Sequence, residues 1–151
     1  MKIIAFLKLA FLLVVVMMIA CTSVFASDVG SGTLTVHVIG FKSAKGHAII
    51  NLFREGQDVL KLKEAYRRAT CTIEDGQVTF SFTELPFGSY AVSVFHDVND
   101  NGELDHRMGF PAEPLAFSNG FHLSVFSGVP SFEKLKFVFR QDTALLEIRF
   151  K

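Results

Sequence analysis

Asp75-Gly76 is followed at once by Val78, Phe80 and Phe82 alternating with Thr79 and Ser81, and this union of a turn with a period of two constrains the fold more than any other feature. Successive side chains of a strand face opposite ways, so the run offers one apolar and one polar face, while Asp-Gly accepts the positive φ angles of a two-residue hairpin loop. The alternation recurs. Leu34, Val36 and Val38 alternate with Thr35 and His37, and Ser43-Ala44-Lys45-Gly46 turns the chain into a second run, His47 to Arg54, which predicts another hairpin. Ala69 to Glu74, Ser89 to His96, Phe121 to Phe126, Leu135 to Arg140 and Ala144 to Phe150 also read as strands. In Ser89 to His96, Tyr90, Val92 and Val94 share one face and Ala91 and Phe95 the other, as expected of a central strand. Between Gln57 and Arg68 the period changes: Val59, Leu62 and Tyr66 share a helical face, Asp58 is a suitable N-cap, and Glu64 precedes Arg68 by one turn. The sum is an all-β fold, a single antiparallel β-sandwich of about seven strands with one short helical insertion; a small barrel is the alternative.

Upstream of this pattern the chain changes character. Met1-Lys2 and Lys8 lead into an unbroken apolar run from Leu9 to Cys21, the charged and hydrophobic parts of a secretion signal. Val24-Phe25-Ala26 is a signal-peptidase site, which divides the chain into a signal peptide at 1–26, a short polar leader at 27–32 and a sandwich domain at 33–151. Met18-Ile19-Ala20-Cys21 is a competing lipobox-like site that would leave the protein lipid-anchored through Cys21, and an uncleaved anchor helix is the third reading. The expected destination is the periplasm or the exterior. Cleavage after Ala26 leaves Cys71 alone, so no internal disulfide forms and the thiol is expected to behave as a small buried hydrophobe.

Fifteen basic residues balance fifteen acidic ones, so no strong field draws the chain to nucleic acid or to an anionic surface. Lys61, Lys63, Arg67 and Arg68 do cluster, but Glu55, Asp58 and Glu64 dilute them into a solvated face. The seventeen Phe, with no Trp, supply a well-filled interior in the absence of disulfides.

The stretch from Asp97 to Gly120 lacks periodicity, and a long loop in a compact domain is usually functional or held by something. It opens with Asp97-Val98-Asn99-Asp100-Asn101-Gly102-Glu103-Leu104-Asp105, oxygen-bearing side chains at alternate positions and then a glycine, as in the first part of an EF-hand-type loop. Ca²⁺ takes six to eight oxygens, and Asp97, Asn99 and Asn101 converge only if the chain curls tightly, which Gly102 permits. Glu103 would add its backbone carbonyl and Asp105 its side chain. Met108 stands where an EF-hand has its bidentate Glu, and Glu113 is a substitute from further along. The alternative is an Asx-rich turn whose side chains cap their own backbone.

Elsewhere catalysis has no motif. Gly-x-Ser-x-Gly, Cys-x-x-Cys, a phosphate-binding glycine loop and His-Glu-x-x-His are all missing from the sequence. His96, Asp97 and His106 could form a zinc site, against which His96 reads as a partnered core histidine; His37, His47 and His122 read as solvent-facing strand positions.

Leu85-Pro86-Phe87-Gly88-Ser89-Tyr90-Ala91-Val92, then His96 to Asp105, then Gly109-Phe110-Pro111-Ala112-Glu113-Pro114 with Phe117-Ser118-Asn119 and the Pro130-Ser131-Phe132 turn, resemble the exported bacterial family catalogued as domain of unknown function 2141. The resemblance runs from about Gly32 to Phe150 and implies a secreted or periplasmic protein, a sandwich like those of transthyretin or collagen-adhesin B-type domains, and no assigned activity. More loosely, some adhesin B-type repeats carry calcium on a loop that falls here on Asp97, Asn99, Asn101 and Asp105. The expectation is therefore an exported, non-catalytic binding or accessory module of the envelope. It would meet an envelope or extracellular partner, with Ca²⁺ as its one candidate cofactor, no nucleic acid and no stable membrane insertion once the signal is removed. A carbohydrate- or protein-binding adhesion module and a small metal-dependent hydrolase are the alternatives.

Overall fold

The computed structural model describes residues 30–124 and 126–151. The signal peptide expected at 1–26, with its candidate sites at Cys21 and Ala26, and residues 27–29 of the expected leader lie outside the described residues. Among those described, no helix is long and apolar enough to cross a membrane.

The fold is all-β. Six strands have six residues or more: β1 (Ser31–Ile39), β2 (His47–Arg54), β3 (Arg67–Thr72), β4 (Gln77–Pro86), β5 (Gly88–Asp97) and, last in the chain, β10 (Thr143–Arg149). Between β5 and β10 come four short ones: β6 (His106–Arg107), β7 (Phe110–Pro111), β8 (Leu115–Phe117) and β9 (Phe137–Phe139). Among the described residues one α-helix, the four-residue α1 (Phe132–Leu135), precedes β9.

Two sheets pack face to face. One runs β10-β1-β4; the other runs β3-β2-β5-β8, with β9 following β8 along the same edge of β5. The alternating positions of the sequence fill the space between them: Leu34, Val36 and Val38 of β1, with Val78 and Phe82 of β4, meet Ala48, Ile50 and Leu52 of β2 and Tyr90, Val92 and Val94 of β5. Each fully buried aliphatic side chain here contributes roughly 1.5–3 kcal/mol. The β1–β10 pair is parallel, which the sequence pattern did not predict; the other ladders are antiparallel.

β5 is central, as its two apolar faces require. Its outer face carries Ala91 beside Phe53 and Phe117, and a second cluster of Val59, Leu62, Phe132 and Leu135 covers them. Every residue from Tyr90 to Asp97 is buried.

Several local expectations are corrected. Neither hairpin forms a ladder, because β1 and β4 belong to one sheet and β2 and β3 to the other. Asp75-Gly76 does make its turn, with φ of 49° and 72° and a single Glu74–Gln77 bridge, but the chain uses it to pass between the sheets. The helical insertion shrinks to a 3-10 turn at Leu62–Glu64, and β3 begins at Arg67. Its supposed face splits, since Val59 and Leu62 join the outer cluster while Tyr66 packs on the main core. Asp58 is not its N-cap: Lys61 holds that position without a side-chain bond, and Asp58 accepts the Leu60 N–H at 3.0 Å in an Asx turn upstream. The described residues of 121–126 form no strand, and that edge of β5 is taken instead by β8 from the aperiodic stretch. Leu135, read as the start of a strand, closes α1 and buries its side chain.

Candidate functional site

The acidic loop leaves the end of β5, where Asp97 pairs in register with His47 of β2. Parity puts Asp97 on the outer face with Phe95, and its carboxylate turns back into the loop: Oδ1 accepts the Asn101 N–H at 3.2 Å and Oδ2 that of Gly102 at 2.7 Å. Asp97 is only 2% exposed, so these bonds offset the cost of burying its charge. The tight curl needs two left-handed residues, Asp100 at φ 60° and Gly102 at φ 76°. Gly46 makes room from the other side: a Cβ there would lie 1.9 Å from the Asp97 carbonyl oxygen.

The remaining side chains gather on Asp105. Its Oδ2 accepts the Asn99 amide at 2.8 Å and its Oδ1 that of Asn101 at 3.0 Å. The Asn101 Oδ1 in turn accepts the Glu103 N–H at 2.8 Å. Asp97, Asn99, Asn101 and Asp105 are thus joined in one network. Glu103 joins it only through its backbone, and its side chain reaches out to Lys63 at 2.5 Å. Glu113 ties the ends of the loop together, Oε1 accepting from Val98 at 2.9 Å and Oε2 from Asp105 at 3.3 Å. Every donor in this set is nitrogen and every acceptor oxygen, so the loop closes upon itself as linked Asx turns.

Whether the same residues suit a hard cation is a question of donor chemistry. An Asn side chain presents nitrogen or oxygen at the same place by a half-turn of its amide. Rotating Asn99 and Asn101 would set oxygens beside the Asp105 carboxylate, an all-oxygen set of the kind Ca²⁺ prefers, at the expense of the bonds that their Oδ1 atoms accept from the Asn101 and Glu103 N–H groups.

The zinc alternative fares differently. Among the described residues no three His, Cys, Asp or Glu side chains are grouped to hold a metal. His96 faces the sandwich interior, where its Nε2 meets the Lys45 carbonyl at 2.6 Å and its ring stands edge-on to Phe41. Asp97 takes the opposite face of the strand, and His106 is exposed on β6. His47 hydrogen-bonds Asp100, His37 meets the Gln77 side chain at 3.2 Å, and His122 is exposed in a loop rather than a strand. Cys71 is free and half-buried against the core, and burial raises its thiol above the ordinary range.

The basic cluster does more than the sequence suggested. Arg68 donates to the Gly102 carbonyl while its guanidinium lies 5.8 Å from the centre of the Phe95 ring, and Lys63 holds Glu103. No local signal announces these contacts, which depend on β3 and β5 flanking the same strand. The β6–β7 hairpin was missed as well; its cue is Met108-Gly109, both at positive φ.

A family model described as "Uncharacterized protein conserved in bacteria (DUF2141)" matches residues 36–145, well over half of the chain. No curated protein and no solved structure matches.

Proposed function

The chain belongs to the DUF2141 family of bacterial proteins, and from that premise we propose that it is an exported, non-catalytic binding module of the cell envelope whose acidic loop takes Ca²⁺. The observation behind this reading is the meeting of Asn99 and Asn101 on the Asp105 carboxylate, at 2.8 and 3.0 Å, over a backbone already curled by Asp97. The backbone curl is already formed, so an ion would spend less ordering entropy here than in a flexible loop and would require only that the Asn99 and Asn101 amides turn. Two Asn among the ligands reduce the negative charge, and affinity is expected in the ~10⁻⁴–10⁻³ M range of extracellular modules. The apolar run at 9–21 supports export, and the separation of His96 from His106 argues against a zinc hydrolase.

Thermal unfolding in Ca²⁺, Mg²⁺ and Zn²⁺ tests the loop. The melting temperature should rise with Ca²⁺ alone, by the linkage of binding to folding, and Asp105→Ala should not respond. A parent protein that melts identically at zero and ~10 mM Ca²⁺, well above that expected Kd range, removes calcium from the reading. Export is tested separately by the mass of the mature N-terminus.

A further inference from the structure

The segment between β8 and α1 is apolar where loops are usually polar. No acidic residue lies between Glu113 and Glu133, and His122 is the one titratable side chain there. Leu123, Phe126 and Val129 are exposed, Phe126 by 99%, so large apolar side chains gather on one short stretch of surface. Scattered singly such residues need no explanation; grouped on one loop they mark a contact surface. Phe121 gives the contrast, since its ring turns inward and stands edge-on to Phe117 in the outer cluster.

The loop is braced around the outward side chains. Asn119 donates to the Lys134 carbonyl at 3.1 Å. Ser127 Oγ accepts the Ser124 N–H at 2.8 Å and donates to the Ser124 carbonyl at 3.1 Å, while Ser124 Oγ accepts the Ser127 N–H at 3.0 Å. The Lys134 ammonium donates to the Ser127 and Val129 carbonyls at 2.8 and 2.9 Å. These backbone groups on either side of Phe126 are therefore satisfied without water. A protein partner could supply such bonds itself, but lipid cannot, so this internal closure suits a bilayer. The charge agrees. Glu133 is taken by Lys136 at 2.6 Å, whereas Lys134 meets neutral carbonyls and forms no ion pair among the described residues, which leaves its charge and one N–H for an external anion. The loop also stands apart from the acidic end of the fold: it departs after Ser118, beside Val92, and returns to β9, whose Phe139 pairs with Gly88 at the start of β5. Gly30 accepts the Phe87 N–H at 2.8 Å, and the Phe87 ring stands edge-on to Phe139, so the chain bearing the apolar run at 9–21 joins the fold at this same edge.

We propose that this loop docks on an anionic phospholipid bilayer, with Phe126 inserted at the level where headgroups meet acyl chains and Lys134 facing lipid phosphate. Apolar insertion and attraction to anionic headgroups reinforce one another at such an interface. The inference rests on neither Ca²⁺ nor the acidic loop. The chain has no Trp, so Phe126→Trp creates a single indole reporter, and Phe110→Trp, exposed on β7 beside the acidic loop, is the control. Both variants should melt with the parent, because both positions are exposed. Fluorescence of each full chain is followed, in EDTA, as vesicles of phosphatidylglycerol and brominated phosphatidylcholine are added; the two chains share whatever the run at 9–21 contributes, so position alone separates them. The indole at 126 should shift to shorter wavelength and be quenched at least about twofold, and should lose about half of that quenching or more when phosphatidylglycerol is left out. The indole at 110 should keep its solvent emission. Two reporters that both stay in water overturn the proposal and leave the loop to a protein partner. Two that move together overturn it as well, since the docking would then not belong to this loop, and quenching at 126 that is indifferent to phosphatidylglycerol removes the anionic lipid.

Discussion

Glu113 Oε1 accepts the Val98 N–H at 2.9 Å, joining residues fifteen apart in the chain. With Oε2 on the Asp105 N–H at 3.3 Å, one carboxylate clamps the acidic loop near both ends. Glu113→Gln keeps a single acceptor and loses the charge, for an expected loss of about 1–2 kcal/mol; Glu113→Ala leaves both N–H groups without it and should cost about 3 kcal/mol. Urea unfolding measures both. A loss below about 0.5 kcal/mol in the alanine variant would mean that the clamp does not hold the loop.

Gly46 should be the least tolerant glycine near the loop. Its φ is 74°, and an added Cβ would press to 1.9 Å on the Asp97 carbonyl, a backbone atom that cannot swing away. Gly46→Ala should therefore cost about 3 kcal/mol or more. Gly102→Ala, at φ 76° but with nothing within 4 Å of the new methyl, should cost only about 1 kcal/mol. Equal melting temperatures for the two variants would contradict the packing described for Gly46.

The contrast between these glycines shows where the sequence was legible. Alternation identified the six long strands, though not the short β6, β7 and β8, because each side chain's face follows from its neighbours, and Leu34, Val36 and Val38 are buried as expected. The joining of Asp97, Asn99, Asn101 and Asp105 was legible for the same reason, being local. Pairing is not local. Asp75-Gly76 encodes a turn, but whether Val78 then pairs with β3 or with β1 depends on apolar surface more than thirty residues away. The helical period at 57–68 misled because Val59 and Tyr66 are buried against different layers, a coincidence of spacing rather than one face. Asn51 and Ser93, both fully buried, gave no warning, since an isolated polar residue in a strand reads as solvent-facing until its cover is known.

The turn itself can be tested apart from the ladder it lacks. At φ 72° with its added Cβ 3.2 Å from the Phe41 carbonyl, Gly76→Ala should cost about 1–2 kcal/mol. Asp75→Gly relieves the strain of a non-glycine residue at φ 49° and should be nearly neutral. Chemical denaturation of the pair checks the ordering, and a Gly76→Ala variant as stable as the parent would mean that the turn adopts another form.

Cys71 pairs in register with Ala48 and packs against the main core, and its thiol is raised by burial. Less thiolate at a given pH means slower alkylation. Iodoacetamide at pH 8 should modify the folded protein at least about tenfold more slowly than the urea-unfolded chain. Equal rates would place the sulfur in solvent.

Tyr90 extends the argument to alkaline pH. Its hydroxyl donates to the Pro86 carbonyl at 2.7 Å, and its phenol is held above the ordinary range, first by burial and then by Tyr66, with Arg67 and Arg54 pulling the other way. A raised acid favours the protonated form in the folded state. Its contribution is therefore complete below the unfolded tyrosine value of about 10 and is lost as pH climbs from there through the folded value. Tyr90→Phe removes the hydrogen bond, costing about 1 kcal/mol at pH 7. The same change removes this part of the alkaline decline, so the two proteins should converge in stability as pH climbs above about 10. Parallel stability curves across that window would show that Tyr90 titrates equally in both states.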